Sequence, residues 1–551
     1  MQIKKVIKGD EARTKLLAGF KTVADIVSTT AGPGGRNIAL QESWGAPKVT
    51  KDGVTVAKAV TLAGAEGEGA KMILQASEKT NKNAGDGTTA TCIFAKSIAE
   101  EGMKSISNGR KSTEIKKGID KAVKDVVKFL KTDSKEIKTN EEIRQVATVS
   151  ANNDMEIGDM IAKAVDKIGR DGVITVEIGR GLSTELEVVE GMQFDQGYLS
   201  PYFMTNPERQ LVEFDNPFIF LYDGKINTMQ SIVPLLEQVV QSGKPIVLIA
   251  DEVDNEPLTT LVVNHLKGGL KCCAVKAPSF GDIRKFIMED IATLTNGQFI
   301  STSLGVNVED ITIDMLGTCD KIKITPTETT IIGGHGEKEK INERVSQLKE
   351  EEANVESSYD KEKIRERIAR LTNGIAVIKV GAATEVEVKE KKDRVDDAVC
   401  AIRAALEEGI LPGGGVSLVR AKAYLEGTKF SSSDMTEDEK EGYAIVLRSL
   451  PAQMKTIAEN AGKSGEVVVE KILNEYNDKA QYNYGYNAKN DTYCDMVKDG
   501  ILDATKVVRC ALENGSSVAG TLLTVEGLVI DDVEENSKLM QLMRPQPQMG
   551  M

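Results

Sequence analysis

Apolar residues recur at helical spacing from the start of the chain. Leu16, Leu17, Phe20, Val23, Ile26 and Val27 predict a helix over residues 11–29. Thr30-Ala31-Gly32-Pro33-Gly34-Gly35 stops it, because proline lacks an N–H and glycine favours turns. A short strand-like piece leads to a second break, Thr50-Lys51-Asp52-Gly53. Residues 61–80 and 92–103 read as helices around a third loop, Asn83-Ala84-Gly85-Asp86-Gly87-Thr88-Thr89-Ala90-Thr91. One stripe, Ile115, Ile119, Val123, Val126 and Leu130, predicts an amphipathic helix over residues 113–130.

After Lys135 the periods mix. A helical stretch at 155–169 precedes strand-like runs at 173–176 and 185–189. Gly191 follows, as a hinge or a plain turn. Apolar runs at 218–222, 246–250 and 273–277 then alternate with helical stretches, which predicts an α/β domain with an at least partly parallel sheet. The helices between those strands, 231–240 and 257–266, carry nearly two apolar stripes each. Either both faces are buried, or one is an exposed patch that binds something apolar. Residues 337–371 predict a charged helical hairpin broken at Ser357-Ser358-Tyr359-Asp360. Gly374 opens a strand over 375–380. A helix over 389–408 has Asp396 and Asp397 near its start, where a carboxylate ordinarily complements the helix dipole. Gly413-Gly414-Gly415 follows, and the pattern is helical through residue 533. Breaks fall at a polar run, 431–441, and a loop-like Tyr/Asn-rich run, 482–495. The tail, 544–551, has a composition that forms no core.

Composition narrows the possibilities. A chain of 551 residues is too long for one core, so about two to four domains are expected. A net charge of −14 argues against a general nucleic-acid binder. No apolar run is long enough to span a membrane, and the charged first ten residues carry no secretion signal, so a cytoplasmic location is expected. Seven scattered cysteines without a C-x-x-C pair fit a reducing compartment and no structural zinc. The two histidines, His265 and His335, are too far apart in sequence to suggest a histidine dyad.

The third loop carries the chemistry. Its glycines let backbone approach a phosphate, and the helix beyond it offers unpaired N–H groups and a positive dipole end. Asp86 adds the hard oxygen that Mg²⁺ takes beside phosphates. A capped helix after a glycine turn would read the same way, so the context matters.

That context is the nesting of helical ends around mixed pieces and a central α/β insert. With it come Gly32-Pro33 and Gly35-Arg36-Asn37, Thr50-Lys51-Asp52-Gly53, Ala84-Gly85-Asp86-Gly87-Thr88-Thr89, Gly197-Tyr198-Leu199-Ser200-Pro201-Tyr202-Phe203, Ala292-Thr293-Leu294-Thr295, Lys379-Val380-Gly381-Ala382-Ala383-Thr384-Glu385, Gly413-Gly414-Gly415 and Tyr484-Gly485-Tyr486-Asn487-Ala488. Across essentially the whole chain this resembles the GroEL-type, group I chaperonins.

The resemblance implies a multidomain α/β fold. It has a mainly helical equatorial domain (1–132 and 409–551), a small mixed intermediate domain (133–190 and 375–408) and an α/β apical domain (191–374). It implies ATP-driven folding of captured client proteins in seven-membered rings, single or double, capped by a GroES-like co-chaperonin. ATP and Mg²⁺, with K⁺ as a further ion, are the implied cofactors; nucleic acid and membrane are not implied partners. Thr30, Gly32, Pro33 and Lys51 match the first ATP contacts, and Asp86 the Mg²⁺ ligand. Gly87, Thr88, Thr89 and Ala90 match the phosphate loop, and Gly414, Asn487, Ala488, Lys489 and Asp503 the base and ribose side. Asp397, with Asp52, matches the catalytic carboxylates, and Gly191 and Gly374 the hinges. Tyr198, Tyr202, Phe203, Val233, Leu236, Leu258, Val262 and Val263 match the client- and cap-binding face.

Departures are specific. Ala31, Gly34, Ala90 and Lys489 replace the family's usual residues, 474–482 reads as an insertion, and the tail keeps only Met549-Gly550-Met551 of the Gly-Gly-Met repeats. Gln453 and Ser464 stand where a pair of opposite charges joins rings, and Gln196 stands where an arginine would meet Glu385. Asp154 and Arg394 are both kept, so a link within the subunit is expected. Two other classes fit parts of the pattern: a small-molecule ATP-dependent enzyme, and an ATP-independent holdase. The first lacks a second polar pocket, and the second is disfavoured by Asp52, Asp86 and Asp397.

Overall fold

The computed structural model describes residues 3–41, 47–170, 172–179, 181–207, 209–301, 311–355, 357–427, 435–475 and 483–532. The core of the expected insertion, 476–482, and the tail lie outside them. The chain forms two compact units, one of Met1–Ala162, Arg180–Ser183 and Val380–Met551, the other of Lys163–Gly179 and Thr184–Lys379.

In the first unit the periodic stripes become long helices: Gly9–Ser28, Gly64–Ala84, Thr88–Ser107, Ser112–Asp133, Glu437–Ser449 and Thr505–Leu523. Their apolar faces share one core, with Leu16, Phe20, Phe94, Ile98, Ile119, Leu130, Tyr443 and Leu512 all buried. Two crossings are held close by paired glycines. A Cβ on Gly19 would meet the Glu66 carbonyl at 1.8 Å, and one on Gly69 the Leu16 carbonyl at 1.9 Å. Gly118 and Gly442 repeat the arrangement against Glu439 and Ile115, at 1.9 and 2.0 Å. Early and late parts of the chain also join as strands: Lys4–Lys8 pairs antiparallel with Gly527–Asp531. That pairing and the shared core explain why one helical body is built from both ends of the sequence.

The loop-like reading of 482–495 is corrected. Tyr484–Asn487 and Thr492–Asp495 form an antiparallel hairpin, stabilised by stacked Tyr484 and Tyr493 (5.8 Å between centroids). Its alternation was hidden by the high content of turn-forming residues. The helix with Asp396 and Asp397 runs Glu385–Glu408, capped by the Thr384 side chain on the Glu387 N–H. Asp397 therefore sits deep in the helix, and the macrodipole does not account for it.

In the second unit Phe218–Ile226, Ile246–Val253 and Cys272–Lys276 are adjacent parallel strands. Phe299–Ser301 joins the other side of Phe218–Ile226, also parallel. Gly317–Ile324, Thr329–Gly334, Val212–Asp215 and Gly191–Phe194 extend the sheet antiparallel. Val233–Ser242 and Asn255–Leu266 link parallel strands that step in one direction along the sheet, an order for which the right-handed crossover rule places both helices on one face. Gly281–Thr295, which leads to the opposite sheet side, lies on the other face with the hairpin of Lys338–Asn354 and Ser358–Thr372. The hairpin breaks just before Ser358, because Ser357 caps the second helix by accepting from the Asp360 N–H. A buried carboxylate, Asp290, ties that layer together by bonding Arg344 at 2.9 Å and Arg367 at 2.7 Å.

Candidate functional site

The three Gly-rich loops of the first unit meet at one cleft. The first helix ends at Ser28, and Asn460 donates to the Ser28 and Ala31 carbonyls at 2.9 and 3.0 Å, holding the loop that follows. Gly32 has φ +72° and lies against Ile457, where a Cβ would come within 2.9 Å. Asp52 caps the short helix Gly53–Ala59 by accepting from the Val54 and Thr55 N–H groups at 3.2 and 3.0 Å. Gly53 faces the third loop so closely that a Cβ would stand 2.6 Å from Thr89 Oγ1 and 2.8 Å from Thr88 Oγ1.

The third loop turns through two left-handed glycines, Gly85 (φ +72°) and Gly87 (φ +85°), with Asp86 between them. The helix beyond starts at Thr88, four residues earlier than its apolar pattern indicates, so Thr88, Thr89 and Ala90 form its first turn. Gly87 is its N-cap and supplies no capping side chain. The first N–H groups are thus free to meet an anion.

Six carboxylates border the cleft: Asp52, Asp86, Glu390, Asp393, Asp397 and Asp503. Ser150 donates to Asp86 Oδ2 at 2.7 Å, and the Gly87 N–H to Oδ1 at 2.5 Å. Burial nevertheless raises the Asp86 pKa, and the Asp52 charge adds to it. Asp397 is raised well above the usual range, first by burial and then by Asp86, Asp52, Asp396 and Asp393. Asp503 is raised to about 7 by burial and by Asp86, although the Gly414 and Gly415 N–H groups donate to it. Its Oδ2 is buried without a hydrogen-bond partner. Lys51 lines the cleft with no ion pair among the described residues. So many carboxylates in one low-dielectric site become stable as anions when a cation lies among them.

Strand pairing sets the far wall. Ile410–Pro412 pairs with Leu502–Ala504, which brings Gly414 beside Asp503. The Tyr484–Asn487 strand contributes Tyr486, Asn487 and Ala488, and Met496, Ile501 and Ile457 add an apolar surface. Among the residues matched to the nucleotide, Thr30, Gly32, Pro33, Lys51, Gly87, Thr88, Thr89, Ala90, Gly414, Asn487, Ala488 and Asp503 all line this cleft. Lys489 does not; it is exposed, and only its N–H turns back, to Asn487 Oδ1 at 3.1 Å. Sequence reasoning missed Ser150, and Asn152 and Asn153, consecutive left-handed residues at the cleft edge. Asn-Asn after a helix was the available signal. Arg394 bonds Asp154 at 3.1 Å as expected, and Glu385 pairs with Lys389 on its own helix.

The second unit presents the other candidate surface. On Val233–Ser242, Leu235, Leu236 and Val239 are buried together with Ile232 just before the helix, while Val233 and Val240, seven residues apart, face outward. On Asn255–Leu266, Leu261 is buried and Val263 and Leu266 are exposed. Tyr202 is 64% exposed, and Tyr198, Leu258 and Val262 are partly buried. The surplus stripes therefore divide, and Phe203 and Leu236 fall on the core side. Phe203 is fully buried, edge-on to His265 at 5.8 Å, and Leu236 is 6% exposed. Helical spacing did not separate Leu236 from its exposed neighbours, and the family resemblance did not mark Phe203 as core. Val240 and Leu266 are the outward residues that sequence reasoning left out. Gly191 and Gly374 are both points of tight backbone approach: a Cβ would meet the Ile331 carbonyl at 2.5 Å and the Val189 carbonyl at 2.6 Å. Gly374 alone of the two has positive φ, +63°.

An interrupted helical body built from both ends of the chain, and an α/β body inserted between them, define a multidomain α/β architecture. The chain belongs to the TCP-1/cpn60 chaperonin family, whose profile matches residues 23–533. A solved relative is the chaperonin gp146 from bacteriophage EL 2 (Pseudomonas aeruginosa), crystallised in the presence of ATP-BeFx. It is 23% identical, with a TM-score of 0.68, over 96% of this chain and 99% of that one, and shares the fold.

Proposed function

We propose that this chaperonin binds Mg²⁺-ATP in the cleft of the first unit, hydrolyses it, and uses the cycle to capture and release non-native proteins. The observation that carries the reading is the uncapped helix start at Gly87–Thr88 facing Asp86, Asp397 and Lys51 in one cleft. Among the described residues no group of three or more His, Cys, Asp or Glu is arranged to hold a metal alone. Mg²⁺ does not need one, since it takes one or two carboxylates with phosphate oxygens and water. Asp86 would hold it, and the ion would supply charge neutralisation for phosphoryl transfer. The first-turn N–H groups and Lys51 bind phosphate oxygens. The orphaned Asp503 Oδ2 suits a ribose hydroxyl donor. Asp397 orients the attacking water, and Asp52 fixes the loop that carries Lys51.

The three-part division into equatorial, intermediate and apical domains, with hinges at Gly191 and Gly374, belongs to the same reading. So do seven-membered rings, a GroES-like cap, K⁺ as an auxiliary ion and a cytoplasmic site of action. Clients and cap would meet Tyr198, Tyr202, Val233, Leu258, Val262 and Val263, joined by Val240 and Leu266. Gln453 lines the nucleotide cleft, and with Ser464 it leaves ring stacking without the family's charged pair. Stacking is then either an ordinary double ring held by other contacts or weak and nucleotide-dependent, and loss of the charged pair is the argument for the second.

Native mass and phosphate release without added substrate test the core of this. A large ring with slow basal turnover supports it; a small oligomer that turns over ATP only with a metabolite supports the rival enzyme. Asp397→Ala should keep ATP affinity and lose turnover, whereas Asp86→Ala should lose Mg²⁺-ATP affinity. Equal affinity losses in both variants would refute the assigned roles.

A further inference from the structure

Behind the phosphate loop lies a buried polar junction of three helices. Thr80 sits near the end of Gly64–Ala84, Thr91 in Thr88–Ser107 and Asn514 in Thr505–Leu523; Thr80 and Thr91 are fully buried and Asn514 is 6% exposed. Asn514 Nδ2 donates to Thr80 Oγ1 at 2.9 Å, and Thr91 Oγ1 donates to the same oxygen at 2.8 Å. Thr80 in turn donates to the Ala76 carbonyl at 3.1 Å. Its hydroxyl is thereby saturated, with one proton given and two accepted. Thr91 Oγ1 shares its single proton between Thr80 Oγ1 and the Gly87 carbonyl, which it meets at 3.0 Å in a three-centre bond, and the same carbonyl accepts the Thr91 N–H at 3.0 Å.

The Gly87 carbonyl and the Thr88 N–H share one trans peptide plane and point in opposite directions. Anchoring that carbonyl in the core aims the Thr88 N–H at the cleft. Nothing on the cleft side does this, since Gly87 has no side chain and the helix has no capping hydroxyl. The hydroxyl pattern of the loop matches: Ala90, which lines the cleft, has none, and the next one, Thr91, faces the core.

We infer that Thr80, Thr91 and Asn514 are positioning residues for nucleotide hydrolysis, holding the Gly87–Thr88 peptide in its anion-binding orientation from behind. The inference rests on the proposed ATPase reading of the cleft. It predicts that Thr91→Val, which keeps the shape and removes the hydroxyl, lowers kcat/KM for ATP by roughly three- to ten-fold, the worth of one or two buried hydrogen bonds. Thr80→Val should act in the same direction, and Thr91→Ser should return to within about two-fold of the parent. Ser516→Ala removes another buried hydroxyl, bonded within its own helix to the Leu512 carbonyl, and should leave turnover unchanged.

Steady-state phosphate release per folded protomer, alongside thermal unfolding, tests this in the full-length assembled protein. If Thr91→Val and Thr80→Val lower the unfolding midpoint but keep parental KM and kcat, the junction is only core packing and the inference is overturned. If the parent releases no phosphate, the ATPase reading fails instead. The junction is then judged by amide hydrogen exchange of residues 87–91, which Thr91→Val must accelerate relative to Thr91→Ser; unchanged exchange overturns it.

Discussion

The divided stripes of the second unit make a quantitative prediction about client capture. Val240 is 49% exposed, Val263 40% and Leu266 63%, whereas Leu236 is 6% exposed on the same pair of helices. Complete burial of such a side chain is worth about 1.5–3 kcal/mol. Scaled by the part already buried, Val240→Ser or Leu266→Ser should each cost only about 1 kcal/mol of stability. Leu236→Ser removes a packed side chain and buries a hydroxyl, which should cost about 3–5 kcal/mol. For capture the order reverses. The outward side chains offer roughly 1 kcal/mol of unburied apolar surface each, so the triple variant Val240→Ser, Val263→Ser, Leu266→Ser should weaken binding of an unfolded client at least ten-fold. Phosphate release should stay at the parental rate. The assay is suppression of light scattering by a urea-denatured enzyme diluted into the chaperonin, with thermal unfolding of each variant in parallel. Parental capture by the triple variant would rule this face out as the client surface. A stable Leu236→Ser protein that fails to capture would show that Leu236 is not a core residue.

Other outcomes can be checked separately. The folded state raises Asp503 to about 7, above the unfolded carboxylate value of about 3.9, so it binds the extra proton between those limits. The resulting stability is present at acid pH and lost as pH rises towards 7. Relative to Asp503→Asn, the parent's unfolding midpoint should fall between about pH 4 and 7 and level off above that; a difference that grows in the parent's favour with pH would contradict the assignment. Gly442→Ala and Gly118→Ala each drive a Cβ into a carbonyl of the facing helix, which should cost about 1–3 kcal/mol or more. Because the two sites share one crossing, the double variant should lose less than the sum, as thermal inactivation rates will register. Electron microscopy at low protein concentration, with and without ATP, should find rings that separate; double rings that persist under both conditions would refute weak stacking.

Much of this was present in the residues themselves. Helical periodicity located the helices at 9–28, 112–133 and 155–168, because a buried stripe needs 3.6-residue spacing wherever it lies in the fold. The Gly-Asp-Gly loop marked a candidate anion site because left-handed turns and an uncapped helix start are local properties. Strand pairing across the chain was not legible: Lys4–Lys8 finds Gly527–Asp531 only once the helical body closes. Pattern alone made Asp397 an ordinary helix-dipole partner for a related reason, since the helix begins at Glu385 and the residue's environment comes from distant loops.

The apolar helices show where local information ends. Sequence determined that 231–240 and 257–266 carry more apolar residues than one stripe requires. It could not determine which of them face water, because Leu236 and Val240 lie one turn apart on nearly the same side. Only the packing of Val233–Ser242 on the sheet decides that Leu236 is covered and Val240 is open. The same holds for Thr80, Thr91 and Asn514, whose hydroxyl and amide groups are ordinary helix residues in sequence. Their meeting point is decided by how three helices cross, since a hydrogen bond of 2.8–2.9 Å depends on tertiary geometry that no local pattern encodes.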